Sequence, residues 1–145
     1  MTRLEVARTA FGVVFILAGI LHFMVPAYYR AIIPPYFPAP ATLVAVSGMA
    51  EIAGGVGMLV PRWRQAAGLG LVVLLLAVLP ANVEMLRQGR AHGVSPVHEA
   101  LLWLRLPFQA VLMGWAWRLS RPAVVRRGTQ AGKATTTRGR LDLPG

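Results

Sequence analysis

The chain has no cysteine, and only five of its 145 residues are acidic. Without cysteine it can form neither a disulfide nor a thiol redox couple of its own, so any electron transfer would need a bound cofactor or another subunit. Charged residues make up 14% of the chain against 56% hydrophobic ones, which excludes an ordinary soluble domain. No HExxH motif, phosphate-binding glycine loop or nucleophile elbow occurs. The adjacent His98 and Glu99 do not make a metal site, and no metal is expected.

What the sequence does have is long apolar runs. Four of them, at 10–25, 42–60, 66–86 and 100–119, are 16 to 21 residues long, close to the roughly 20 needed to cross hydrocarbon. The first follows Arg3 and Arg8 and resembles a secretory leader in length, but it ends in HFMVPAYYR rather than in small residues, so it reads as a mature helix. The expected fold is all-α: a four-transmembrane-helix bundle over 1–119, followed at 120–145 by a basic, disordered cytoplasmic tail.

The net charge of +10 is unevenly spread. Arg3, Arg8, Arg62, Arg64, Arg118 and Arg121, with the tail arginines and Lys133, fall on one side of the expected spans; Arg30, Arg87 and Arg90 fall on the other. This positive-inside pattern puts both termini in the cytoplasm. The lipid bilayer is the partner such charge implies, and nucleic acid is not, because no recognition motif accompanies the charge.

Small residues crowd the second run: Ser47, Gly48, Ala50, Ala53, Gly54, Gly55 and Gly57. With Gly68 and Gly70 in the third run and Ala110 and Gly114 in the fourth, they predict close helix approach with the second helix at the centre. Pro80 and Pro107 predict kinks or local loosening.

The polar residues inside the runs are His22, Ser47, Glu51, Asn82, Arg105 and Gln109. Counted inward at 1.5 Å per residue, His22 and Asn82 lie roughly 5 Å deep, Arg105 about 8 Å, and Glu51 and Gln109 near 15 Å, all in the outer half of the bilayer. Ser47 and Glu51 share a helix face, as do Arg105 and Gln109. A lone charge in hydrocarbon is costly, so Glu51 and Arg105 are expected to pair with each other. Such a pair either fixes helix register or also serves a ligand, and both readings stay open. His22 can be structural or a base, and Asn82 can bridge helices or satisfy backbone freed by Pro80. Glu84, His92, His98 and Glu99 are expected to reach solvent at the outer boundary.

Between the first two runs lies VPAYYRAIIPPYFPAP. Tyr28, Tyr29 and Tyr36 suit the headgroup level, and Pro34 with Pro35 makes a rigid corner. The segment reads as an interfacial lid over the outer mouth of the bundle, interrupted too often for a long helix.

The stretches GILHFMVPAYYRAIIPPYFPAP, SGMAEIAGGVGMLVPRWRQAAGLGLVVLLLAVLPANVEM and LRLPFQ resemble those of the DoxX-like family of small four-helix bacterial integral membrane proteins. The resemblance runs from about residue 11 to 117. It implies a multi-pass protein of the bacterial plasma (inner) membrane and a link to quinone chemistry, because the namesake is associated with thiosulfate:quinone oxidoreductase. It assigns no reaction. Three classes remain open: a binder of a quinone-like or other small amphipathic molecule in an outer-leaflet pocket, a noncatalytic membrane subunit or assembly partner, and a small-molecule transporter acting as a homo-oligomer.

Overall fold

The computed structural model describes residues 2–121. The expected basic tail therefore lies, from residue 122 onward, outside the described residues. Five helices and no strand occur among those described: α1 Arg3–Met24, α2 Pro26–Ala31, α3 Pro40–Leu59, α4 Arg64–Ala91 and α5 Pro96–Ser120. Three of them, α1, α3 and α4, are long and apolar enough to cross a membrane. With 25 residues α5 matches them in length, but it carries His98, Glu99, Arg105, Gln109 and Arg118, which lower its hydropathy.

Local chemistry sets the helix ends. The Thr2 hydroxyl accepts from the Glu5 amide at 3.2 Å while the Glu5 carboxylate accepts from the Thr2 amide at 2.8 Å, a reciprocal box that satisfies two otherwise orphaned donors. It starts α1 seven residues before the apolar run. The short α2, a fifth helix not expected from the apolar runs, opens on Pro26, whose missing N–H costs nothing at a first helical position. Ser95 caps α5 by accepting from the His98 amide at 3.3 Å. Both α4 and α5 continue through their prolines, Pro80 and Pro107.

Packing follows chain order: α1 lies against α3, α3 against α4 and α4 against α5, with a lighter contact between α1 and α5. The expectation that the glycine-rich helix sits centrally agrees with α3 touching both α1 and α4. Two antiparallel glycine pairs make the first contact. A Cβ on Gly19 would stand 2.5 Å from the carbonyl oxygen of Gly48, and one on Gly55 would stand 2.5 Å from that of Gly12. The pairs recur every seven residues on both helices, the period of shallow left-handed crossings. Gly68 likewise packs against Ser120 and Ala116. Gly70 and Gly114 do not follow the expected close approach: a Cβ on either meets nothing within 4 Å, because both face outward.

The core divides in two. Phe11, Phe15, Met58, Leu71, Leu75, Ala116 and Leu119 fill one cluster, and Ile32, Met85, Leu86 and Leu102 fill the other. Beside the first cluster, buried Arg8 donates from Nε to the Leu119 carbonyl at 2.9 Å and from Nη2 to that of Arg121 at 2.7 Å. Arg64 donates to the Met58 carbonyl at 2.9 Å. Helix C-termini leave carbonyls unpaired and carry partial negative charge, so these arginines act as helix caps as well as charges.

Candidate functional site

A cavity of about 400 Å³ is lined by residues from α1, the segment after it, α3, α4 and α5. Phe15 and Leu75 come from the first core cluster, Ile32 from the second, and Val44, Val78, Phe108 and Leu112 add to a mainly apolar surface. His22, Ser47, Glu51, Asn82, Arg105 and Gln109, singled out above on separate helices, all line this one space. Helical spacing explains the convergence. Ser47 and Glu51 are one turn apart on α3, and Arg105 and Gln109 one turn apart on α5.

The polar groups form two sets rather than one. On the α4/α5 side, Asn82 bridges the helices, donating to the Gln109 carbonyl oxygen at 2.9 Å and accepting from Arg105 Nε at 2.8 Å. Gln109, buried, in turn donates to the backbone carbonyl of Leu75 on α4. Of the two roles open to Asn82, the structure shows the helix bridge.

On the α1/α3 side, the His22 ring is buried, with Nδ1 3.0 Å from the Ala18 carbonyl and 3.4 Å from Glu51 Oε2. A carbonyl only accepts, so the Ala18 contact assigns the proton to Nδ1. Tyr29 covers the other side of the ring, nearly parallel to it at a centroid distance of 3.8 Å. Ser47 Oγ and Glu51 Oε2 are buried without a hydrogen-bond partner. Buried polar atoms left in that state each carry a desolvation penalty that native folds otherwise avoid. The Glu51 side chain keeps 13% of its surface, on the cavity that it lines.

The expected Glu51–Arg105 ion pair does not form. Asn82 takes the Arg105 Nε, and Glu51 lies instead against His22, the nearest group on the helix to which the glycine pairs bind α3. Arg105 itself is exposed, and its terminal nitrogens make no hydrogen bond among the described residues. A guanidinium on the cavity margin with free donors needs no carboxylate partner, which removes the argument that required the pair.

The segment expected to cover the mouth does so in part. Tyr29 and Ile33 line the cavity and Pro34 is buried, but Tyr28 and Tyr36 are 53% and 73% exposed and Pro35 is exposed too. A turn closed by the Phe37 amide on the Pro34 carbonyl at 3.1 Å makes the expected corner. Gln88 Nε2 ties α2 to α4 through the Ala31 carbonyl at 3.1 Å.

A second correction concerns Glu84, expected to reach solvent. It is buried, held by Arg87 Nε at 2.8 Å and Nη2 at 2.6 Å and by Gln88 at 3.0 Å. Arginine and glutamine one turn on supplied the donors, a spacing visible in EMLRQ. His92 and His98 are exposed as expected, and Glu99, half-buried, meets Arg90 at 3.2 Å. Missed entirely were Gly12 and Gly19, although G-x6-G on two successive apolar runs was the available signal. Among the described residues no group of acidic and histidine side chains is placed to hold a metal ion.

No curated protein and no solved structure matches the chain. A family model does, over residues 11–120, the stretch that holds the whole cavity. The chain belongs to the family described as a domain of unknown function, DUF8561.

Proposed function

We propose that this protein is a four-span, DoxX-like protein of the bacterial plasma membrane, with both termini cytoplasmic, and that it binds a small amphipathic, quinone-like molecule in the cavity on behalf of a membrane redox system. One observation carries the binding reading: two orphaned buried polar atoms, Ser47 Oγ and Glu51 Oε2, belong to residues lining an otherwise apolar space of about 400 Å³. Ligand cavities are commonly 300 to 1,000 Å³, apolar, with a few polar groups that fix orientation. The membrane reading rests on three apolar helices, with α5 as the fourth span. There Arg105 and Gln109 line the cavity, which lowers their cost, and His98, Glu99 and Arg118 lie toward the helix ends. The orientation rests on the arginines gathered at the Arg8 end of the bundle.

Extraction of the full-length protein from its own membrane, followed by mass spectrometry of the organic-soluble fraction, tests the reading. A small amphipathic molecule should co-purify with the natural sequence and be lost from Ala18→Phe, which fills the cavity. Recovery of the same lipids from both would sink it.

A second reading has its own support. Gly70 and Gly114 leave open, outward-facing backbone on α4 and α5, and small residues on lipid-facing surfaces are docking points for other helices. A noncatalytic membrane subunit, or a homo-oligomer, would use them. Co-purification of a stoichiometric protein partner lost on Gly70→Leu or Gly114→Leu would favour it.

A further inference from the structure

The hydrogen-bonding sense of the cavity wall is asymmetric, and it specifies which chemical form of a ligand fits. On the α3 side stands a carboxylate, Glu51, with no hydrogen bond to either oxygen among the described residues, its Oε2 3.4 Å from the single N–H that His22 has already directed at Ala18. One turn away, Ser47 Oγ also lacks a partner. In its ionised form Glu51 only accepts, and what it lacks is a donor. On the α5 side the free groups are the terminal N–H donors of Arg105, while Asn82 and Gln109 are spent on each other, on Arg105 and on Leu75. The remaining lining is aliphatic or aromatic, with the Tyr29 hydroxyl its one further side-chain polar group.

The geometry points to a ligand that carries a hydroxyl donor on an apolar body, a phenol- or hydroquinone-type molecule. Its O–H donates to Glu51, and an oxygen elsewhere on the molecule accepts from Arg105. A molecule of the same shape with only carbonyl oxygens would satisfy Arg105 but would leave Glu51 unpaired and set oxygen lone pairs against a carboxylate. A cationic ligand would meet Arg105 in the same apolar space, and a purely apolar one would leave both walls unanswered. This inference rests on the reading that the cavity takes an amphipathic molecule. It commits that reading to the reduced, hydroxyl-bearing form.

Sites built to bind a hydroxyl discriminate against analogues lacking it because their own polar groups are then stranded. Glu51 keeps 13% of its side-chain surface and water can reach it, so the expected preference is moderate, at least about tenfold in Kd.

Calorimetric titration of the full chain in lipid nanodiscs, under anaerobic conditions, with three probes of one ring skeleton reads it out. The probes are trimethylhydroquinone, its dimethyl ether and trimethyl-p-benzoquinone, the last matched in size and without a donor. The hydroquinone should bind at least about tenfold more tightly than the other two. In Glu51→Leu the three should bind alike, with the ether and the quinone as tight as in the natural sequence or tighter. Should that variant fail to fold, Glu51→Gln, which keeps the shape and adds an N–H donor beside its acceptor, should narrow the preference by itself. Equal binding of all three probes to the natural sequence would overturn the inference and leave the cavity reading intact. Binding of none would overturn the cavity reading with it.

Discussion

Where α1 crosses α3, backbone meets backbone: Gly12 against Gly55 and Gly19 against Gly48, with room for no side chain between them. Where α4 lies on α5, the cavity-lining contact is made by side chains, through Asn82, Gln109 and Arg105, with Arg90 and Glu99 pairing near its end. Lipid gives helices no hydrophobic reason to associate, so each pair needs another one, and beside the cavity the two walls use different ones, although Gly68 packs α4 closely on α5 away from it. The difference has a consequence for chemistry. On α4 and α5, Asn82 and Gln109 are consumed in holding those helices together. On the glycine wall the backbones already pack, and Ser47 and Glu51 are left unpartnered beside the cavity.

The largest effect should come from breaking the glycine wall. In Gly19→Val the new Cβ would lie 2.5 Å from the Gly48 carbonyl oxygen, and a helix backbone cannot yield as a flexible side chain can. Overpacking of this kind costs about 3 kcal/mol. Reversible unfolding in mixed detergent micelles should show that loss or no folded bundle at all, while Gly114→Val, where a Cβ meets nothing, should change stability by about 0.5 kcal/mol or less. Equal effects at the two positions would mean that the seam does not hold α1 to α3.

Arg8 ties one wall to the other. It joins α1 to the last carbonyls of α5 with two hydrogen bonds from a charged donor, 2.9 and 2.7 Å long. Replacing it in Arg8→Met keeps most of the stem and removes both, which should cost about 2 kcal/mol in the same unfolding assay. Arg3→Met, exposed on the same helix, should cost about 0.5 kcal/mol or less. Matching losses would show that the charge of the end matters and the capping does not.

These two cases also show where the sequence was readable. Apolar run length was enough to find α1, α3 and α4, and the i, i+4 spacing of Ser47 with Glu51 and of Arg105 with Gln109 was enough to aim them at a common space. Partner choice was not readable. Charge complementarity favours Glu51 with Arg105, but the partner is decided by which backbones come closest, and that depends on glycines on two helices acting together. Arg8 reads as a topological charge because its acceptors lie 111 and 113 residues away. A six-residue helix such as α2 carries no periodicity to detect.

The comparison sharpens if one polar group is removed from each wall. Gln109→Leu should destabilise by about 1 to 2 kcal/mol, because Asn82 and the Leu75 carbonyl lose a buried partner. Glu51→Leu replaces a carboxylate that has no hydrogen bond, and should be neutral or stabilising by up to about 1 kcal/mol. Opposite signs in thermal unfolding are the expected result. A loss in both would mean that the His22 contact to Glu51 holds α1 to α3 as Asn82 holds α4 to α5.

The smallest effect is a coupling. With Asn82 occupying Arg105 Nε and no ion pair from Arg105 to Glu51, substitutions at these two residues should act on stability independently of each other. Double-mutant cycles measure this directly, since residues without shared partners add within about 0.5 kcal/mol and hydrogen-bonded ones do not. The cycle of Asn82→Ala with Arg105→Met should give a coupling of about 1 kcal/mol. The cycle of Glu51→Gln with Arg105→Met should give about 0.5 kcal/mol or less. A coupling above about 1.5 kcal/mol in the second cycle would mean that the carboxylate and the guanidinium meet across the cavity in solution. The donor that Glu51 lacks would then be Arg105 itself, and the case for a hydroxyl-bearing ligand would fall with the separation of the walls.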